Sequence, residues 1–93
     1  MAGLEKYYAG DETWELSVKI FSEAYLDDNA HLLADELNGC LDLAVIIYGK
    51  RGIKEALWWI EQEVPALDGI RPVDCLKDPE LLKRLRECVM RMA

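Results

Sequence analysis

Length, composition and charge limit this chain to one folded domain that is poorly suited to nucleic acid. Ninety-three residues are too few for two hydrophobic cores of useful size. An apolar share of 52% beside 31% charged residues is too high for a disordered tail. The longest apolar run, 43–48, is too short to cross a bilayer, and a net charge of −7 would repel a polyanion. We expect one domain, residues 1–93, that contacts neither membrane nor nucleic acid directly.

The charge is divided unevenly along the chain. Residues 1–49 contain ten acids and two bases, residues 50–63 three of each, and residues 64–93 five acids and six bases. We therefore distinguish an acidic helical part, residues 1–40, from residues 41–93. The acid Glu5 stands where a signal peptide would begin its apolar stretch. Because three widely spaced cysteines do not form a disulfide framework, we expect a cytoplasmic protein with reduced thiols.

The first helical pattern follows an aperiodic opening of ten residues, which is predicted to be irregular. From Asp11 to about Leu26 apolar side chains recur every three or four positions, which predicts a helix capped by Asp11 or Thr13. Its buried stripe is expected to contain Trp14, Val18, Phe21 and Tyr25, widened by Ile20 and Ala24.

A second helical pattern begins after a polar turn at 27–29. Asp28 or Asn29 is expected to cap it, and Gly49 to end it. Gly39 inside the pattern predicts either a kink or a break into two shorter helices. The expected inner face comprises Leu33, Leu37, Cys40, Leu41, Ala44, Ile47 and Tyr48.

A third helix is predicted from Ile53 to about Glu63, with Gly52 opening it. Two adjacent tryptophans fall on opposite flanks of its apolar stripe, because successive helical residues are separated by about 100°. Trp58 shares its flank with charged residues and is expected to be the more exposed. Trp59 is expected to reach the core.

Prolines and turn residues divide the remainder of the chain. Pro65 stops the third helix, and a tight turn follows in which Gly69 takes a positive φ. A short helix is predicted at Pro72–Leu76, and the pair Asp78-Pro79 starts the last helix. Its expected inner face contains Leu81, Leu82, Leu85, Cys88, Val89 and Met92, and its outer face Lys83, Arg84, Arg86 and Arg91.

These patterns predict an all-α fold, a small single-domain bundle of four to six helices, since no segment alternates with period two. The sequence does not indicate catalytic chemistry. His31 is the single histidine, the cysteines lack metal-ligand spacing, and the scattered glycines form no phosphate-binding loop. We therefore expect no enzyme activity, no cofactor and no metal.

Interaction with another protein is the function that remains. Aromatic, methionine and arginine side chains are enriched at the centres of interfaces. We predict partner contacts at Trp58, Arg84, Glu87, Met90 and Arg91.

Three runs of residues, 44–49, 54–60 and 65–76, together resemble the toxin-binding domain of Xre/MbcA/ParS-type antitoxins. They show an apolar helix ending in an aromatic residue and glycine, then Ala-x-Trp-Trp-Ile, then Pro-Ala-Leu-x-Gly, then a proline and a leucine. The resemblance covers residues 41–93. It assigns motif positions to Trp59, Pro65, Leu67, Gly69 and Pro72.

The resemblance implies a function in toxin neutralisation. Such domains inhibit toxins that consume NAD or transfer ADP-ribose, of the RES or ADP-ribosyltransferase kind, by packing on the toxin while the C-terminal segment blocks its active site. Two departures exist: Glu63 replaces a frequent proline, and residues 1–40 do not look like the helix-turn-helix domain that often precedes this module.

Two other interpretations stay open at the level of the sequence. The chain could be an acidic inhibitor or nucleic-acid decoy, for example phage-encoded, that occupies a basic surface of a host defence protein; the missing DNA-binding half favours this. It could also be a homodimeric scaffold. The cationic last helix or the acidic first half could each meet the partner.

Overall fold

Residues 11–92, the part of the chain that this computed structural model describes, contain five α-helices and two short 3₁₀ helices joined by short turns. The α-helices are α1 (Asp11–Tyr25), α2 (Asp28–Glu36), α3 (Leu41–Arg51), α4 (Ile53–Trp59) and α5 (Pro79–Arg91); the 3₁₀ helices are Pro65–Leu67 and Pro72–Asp74. Within this range there is no strand, only an isolated bridge between Val64 and Ile70. The all-α class is confirmed. The irregular opening predicted for residues 1–10 falls outside the described residues.

Helix α3 lies at the centre of the bundle. Its residues 43–47 are all at most 1% exposed, because α1, α2, α4 and α5 each pack against it. One continuous apolar core therefore includes residues from before and after position 40, such as Leu33 of α2 and Leu85 of α5. None of the helices in residues 11–92 is both long and apolar enough to span a bilayer.

Gly49 does not end α3, contrary to the sequence-based expectation. The helix continues to Arg51, and Gly52, with φ of 78°, ends it. Gly49 instead allows α1 to approach closely, because a Cβ atom there would lie 2.5 Å from Cδ1 of Phe21 and 2.7 Å from Cδ2 of Tyr25. The glycine is thus a packing residue between α1 and α3.

The second helical pattern breaks into two helices, which was one of the two predicted alternatives. Asn38 and Gly39 have φ of 56° and 83°, a conformation that a right-handed helix does not contain. The predicted cap of α2 is wrong by one residue: Asp27 accepts from the amides of Asn29 and Ala30, at 3.0 and 3.2 Å.

Helix α1 is buried along a narrower stripe than the sequence predicts. Trp14 is only 2% exposed and Val18 packs against the core, but Ile20 is 57% exposed and Ala24 is also exposed. The expected widening of the stripe is wrong, since α1 lies at the edge of the bundle and packs chiefly on α3.

The third predicted helix is shorter than expected. Helix α4 ends at Trp59, and the amides of Glu61 and Gln62 then bond three residues back, to the carbonyls of Trp58 and Trp59. This tightening ends the helix before Pro65 is reached. The short helix predicted at Pro72–Leu76 is reduced to one 3₁₀ turn.

The start of the last helix is confirmed. Asp78 accepts from the amides of Glu80 and Leu81, at 2.8 and 3.3 Å, and Pro79 is the first helical residue. The Asp78 carboxylate thus accepts hydrogen bonds from two of the amides left free at this helix start, and Pro79 has no amide N–H to satisfy.

Candidate functional site

A cleft of about 230 Å³ lies where the ends of α3, α4 and α5 meet the first 3₁₀ helix. We call it the α5 cleft. Its walls combine apolar and cationic side chains, namely Arg51, Trp59, Val64, Ala66, Cys88, Arg91 and Met92. The cleft joins two motif segments of the resemblance, the tryptophan and the Pro-Ala-Leu turn, to the end of the last helix.

The two adjacent tryptophans have different surroundings, as predicted. Trp59 is 8% exposed and forms part of the cleft wall, whereas Trp58 is 59% exposed and does not line the cleft. Trp58 is therefore a solvent-facing aromatic side chain beside the site.

The turn after α4 presents one side chain to the cleft and another to the core. Leu67 is fully buried, while Ala66 is exposed at the cleft. Asp68 and Gly69 have φ of 57° and 78°, so both lie in the left-handed region, and the Gly69 amide donates to the carbonyl of Val64 at 3.0 Å. The predicted positive φ at Gly69 is confirmed.

Arg84 connects α5 to this turn. Its Nη1 lies 2.6 Å from Oδ2 of Asp68, and its side chain is only 15% exposed. The guanidinium predicted to lie on an open basic face is thus engaged within the chain. Contact of Arg84 with a partner stays a prediction.

Lys50 holds the C-terminal end of α5. Its ammonium donates to the carbonyls of Val89, Met90 and Met92, at 2.9, 3.0 and 2.9 Å. Burial lowers the pKa of Lys50 below its usual value. A cation at the carbonyl end of a helix also interacts favourably with the helix dipole. Lys50 therefore fixes the direction in which the chain leaves α5.

The remaining predicted contact residues of α5 differ in exposure. Glu87 is only 6% exposed, and its Oε2 accepts from Nε of Arg91 at 2.5 Å. The side chain of Arg91 is 57% exposed and lines the cleft, while Met90 is half-buried. The cleft therefore contains one of the five predicted contact residues, Arg91. Glu87 is buried and is paired with the guanidinium of Arg91, and its contact with a partner stays a prediction.

Sequence reasoning missed Arg51, Val64 and Cys88 as cleft residues. Nη1 of Arg51 pairs with Oε1 of Glu55 at 3.0 Å on the next helix. Burial raises the pKa of the Cys88 thiol, and the charge of Arg51 opposes that rise. One available signal was the spacing of Cys88 and Arg91, which places both on one side of α5.

A second cleft, of about 300 Å³, is lined by side chains of α1, α3 and α5. Nε1 of Trp14 donates to Oδ2 of Asp42 at 3.0 Å, and the guanidinium carbon of Arg86 lies 5.2 Å from the centre of the Trp14 ring. Arg86 also approaches Asp42, at 3.4 Å. The placement of Arg86 on an open outer face is therefore wrong, because it packs on α1.

Within residues 11–92 no group of three histidine, cysteine or acidic side chains is arranged to hold a metal ion. The three cysteines are free thiols, and Cys75 is fully buried. The surface near the α5 cleft presents an exposed indole, that of Trp58, and the exposed guanidinium of Arg91.

No family model, no curated protein and no solved structure matches this chain. The similarity to antitoxin domains rests on the sequence motifs and remains a prediction.

Proposed function

We propose that this protein is antitoxin-like and inhibits a toxin that consumes NAD or transfers ADP-ribose, by covering the entrance to its active site. The α5 cleft is the observation that supports this proposal best. It brings Trp59 and Ala66 of the resemblance motifs together with Arg91 and Met92 at the end of α5.

The composition of the cleft defines what it can accept. Its two arginines, Arg51 and Arg91, already pair with Glu55 and Glu87, and their positive charge would still attract a carboxylate of the partner. Its apolar wall would contact an aliphatic or aromatic side chain. Meanwhile Lys50 fixes the end of α5 beside the cleft. This arrangement suits a protein surface that presents an acidic residue next to an apolar one.

The proposal is tested by inhibition of NAD consumption. RES-type and ADP-ribosyltransferase toxins, beginning with any encoded beside this gene, are titrated with the purified full chain, and NAD loss is measured. We expect activity to fall linearly to zero near a fixed molar ratio. Undiminished NAD consumption in the presence of a bound chain would contradict active-site blockage.

Ala66→Gln provides the matched test of the cleft. Ala66 is exposed, so a larger side chain there fills the cleft at little cost to folding. We expect inhibition to weaken at least tenfold. Lys77→Gln, an exposed position before the start of α5, is the control and should inhibit normally. Equal inhibition by both variants would show that the cleft is not the contact site.

The decoy function is the second candidate, and the exposed acids of the first two helices favour it. Residues 11–40 carry eight acids and one lysine. Binding driven by these acids to a basic surface would weaken steeply as salt is raised, whereas a contact made by aromatic and apolar side chains would weaken little. The dissociation constant of a bound partner, measured between about 50 and 500 mM salt, distinguishes the two functions, because the Debye length shortens over this range.

A further inference from the structure

The outward side of α1 carries apolar side chains that the bundle leaves uncovered. Leu16 is 58% exposed and Ile20 is 57% exposed. Being four residues apart, they are neighbours on one helix face. Ala24, also exposed, continues the row by another turn. We call Leu16, Ile20 and Ala24 the outer α1 row.

This row lies on the side of α1 that faces away from the core. At about 100° per residue, Leu16 and Ile20 are roughly opposite Trp14 and Val18, which pack into the bundle. A helix that covers a core on one side ordinarily carries polar residues on the other. Helix α1 instead has an apolar row on each side, which is the pattern of a helix enclosed between its own bundle and another surface.

The charges around the row indicate the chemistry of that surface. Glu12 precedes Leu16 by one turn and Glu23 follows Ile20 by three residues, so an acid stands near each end of the row. Lys19, four residues before Glu23, is the only lysine or arginine among residues 11–40, so the flank of the row carries two acids and one lysine and is acidic in sum. A second copy of the chain would bring the same acids against one another, which opposes self-association through this face.

We propose that the outer α1 row binds a basic amphipathic helix of a partner protein. Leu16 and Ile20 would pack against the apolar stripe of the partner helix, and lysines or arginines beside that stripe would pair with Glu12 and Glu23. None of these residues lines the α5 cleft, so the inference stands whether or not that cleft inhibits a toxin. The protein would then have two separate contact surfaces.

The probe is a synthetic peptide of 18 residues, about five helical turns, with leucines at helical spacing and lysines elsewhere. A second peptide replaces every lysine with glutamate. Each is titrated into the full, isotope-labelled chain while amide NMR signals are recorded. We expect the basic peptide to shift the signals of residues 12–24, to leave those around the α5 cleft unchanged, and to bind at least tenfold more tightly than the acidic peptide.

Substitutions identify the contact. Leu16→Ser with Ile20→Ser should weaken binding of the basic peptide by on the order of 100-fold, since two exposed aliphatic contacts are lost. The control Leu32→Ser removes another apolar side chain, 50% exposed on α2, and should bind normally. Glu12→Gln with Glu23→Gln should weaken binding several-fold at low salt and reduce its salt dependence.

Several results would overturn the proposal. They are equal binding by the serine variant, equal binding of the acidic peptide, signal shifts confined to other surfaces, and no binding at millimolar peptide. A concentration-dependent dimer that the serine variant abolishes would assign the row to self-association instead. Contacts between the row and residues 1–10 in the free chain, detected by nuclear Overhauser effects, would assign it to the chain itself.

Discussion

Replacing Lys50 by methionine should destabilise the protein through the end of α5. The substitution keeps an unbranched side chain of similar length and removes only the ammonium, which donates to three carbonyls at 2.9 to 3.0 Å. A hydrogen bond to a charged group contributes about 1.5 to 3 kcal/mol. The three bonds share one charge, and burial of Lys50 costs part of the gain, so we expect a net loss of about 2 to 3 kcal/mol.

Thermal and urea unfolding of the full chain measure this loss. For a domain of this size, about 2 to 3 kcal/mol corresponds to a decrease in Tm of roughly 10 to 20 °C. Amide hydrogen exchange should accelerate first at the C-terminal turn of α5. The control Lys54→Met, at an exposed position of α4, should change stability by less than about 0.5 kcal/mol. If both variants are equally stable, Lys50 does not hold the end of α5.

The remaining predictions concern packing and pH. Gly49→Ala should destabilise by about 1 to 2 kcal/mol although alanine favours helices, because its Cβ would meet the Phe21 ring; increased stability in urea would refute the close approach of α1. Trp59→Ala should cost about 3 to 5 kcal/mol and Trp58→Ala less than about 0.5, and calorimetry giving equal losses would contradict their different burial. Burial raises the pKa of Cys75 to about 11 from 9.0. The unfolded thiol therefore ionises first, and stability should fall by about 2 kcal/mol as pH rises from 9 to 11. Cys75→Ala should remove most of that fall, and an unchanged pH profile in denaturant titrations would count against it.

The sequence predicts helix positions well where side chains act locally. The cap at Asp78 and the positive φ at Gly69 follow from residues within one turn, and both are confirmed. The different exposures of Trp58 and Trp59 likewise follow from helical periodicity together with the residues that share each flank.

Two of the errors arise where distant segments decide the outcome. Gly49 has the residue type of a helix end, but its role is set by Phe21, which lies on another helix. Ile20 is hydrophobic enough for a core position, but it is exposed because α1 packs at the edge of the bundle. No spacing rule along the chain reveals either fact.

The candidate site was predicted only in part for the same reason. Arg91 was identified from its residue type at the end of the last helix, and it lines the α5 cleft. Arg51 and Cys88 line the cleft together because α3 packs against α5, and this contact between distant segments is not evident from the sequence. The inward position of Glu87 was also missed, since an acid on a charged helix face gives no local sign of burial.

The measurement that tests the central claim most directly is a stoichiometric titration of NAD consumption by a candidate toxin with the full chain. The proposal predicts activity falling to zero at a fixed molar ratio and retained inhibition by Lys77→Gln, with Ala66→Gln at least tenfold weaker. Full enzyme activity in a complex that contains the bound chain would contradict it.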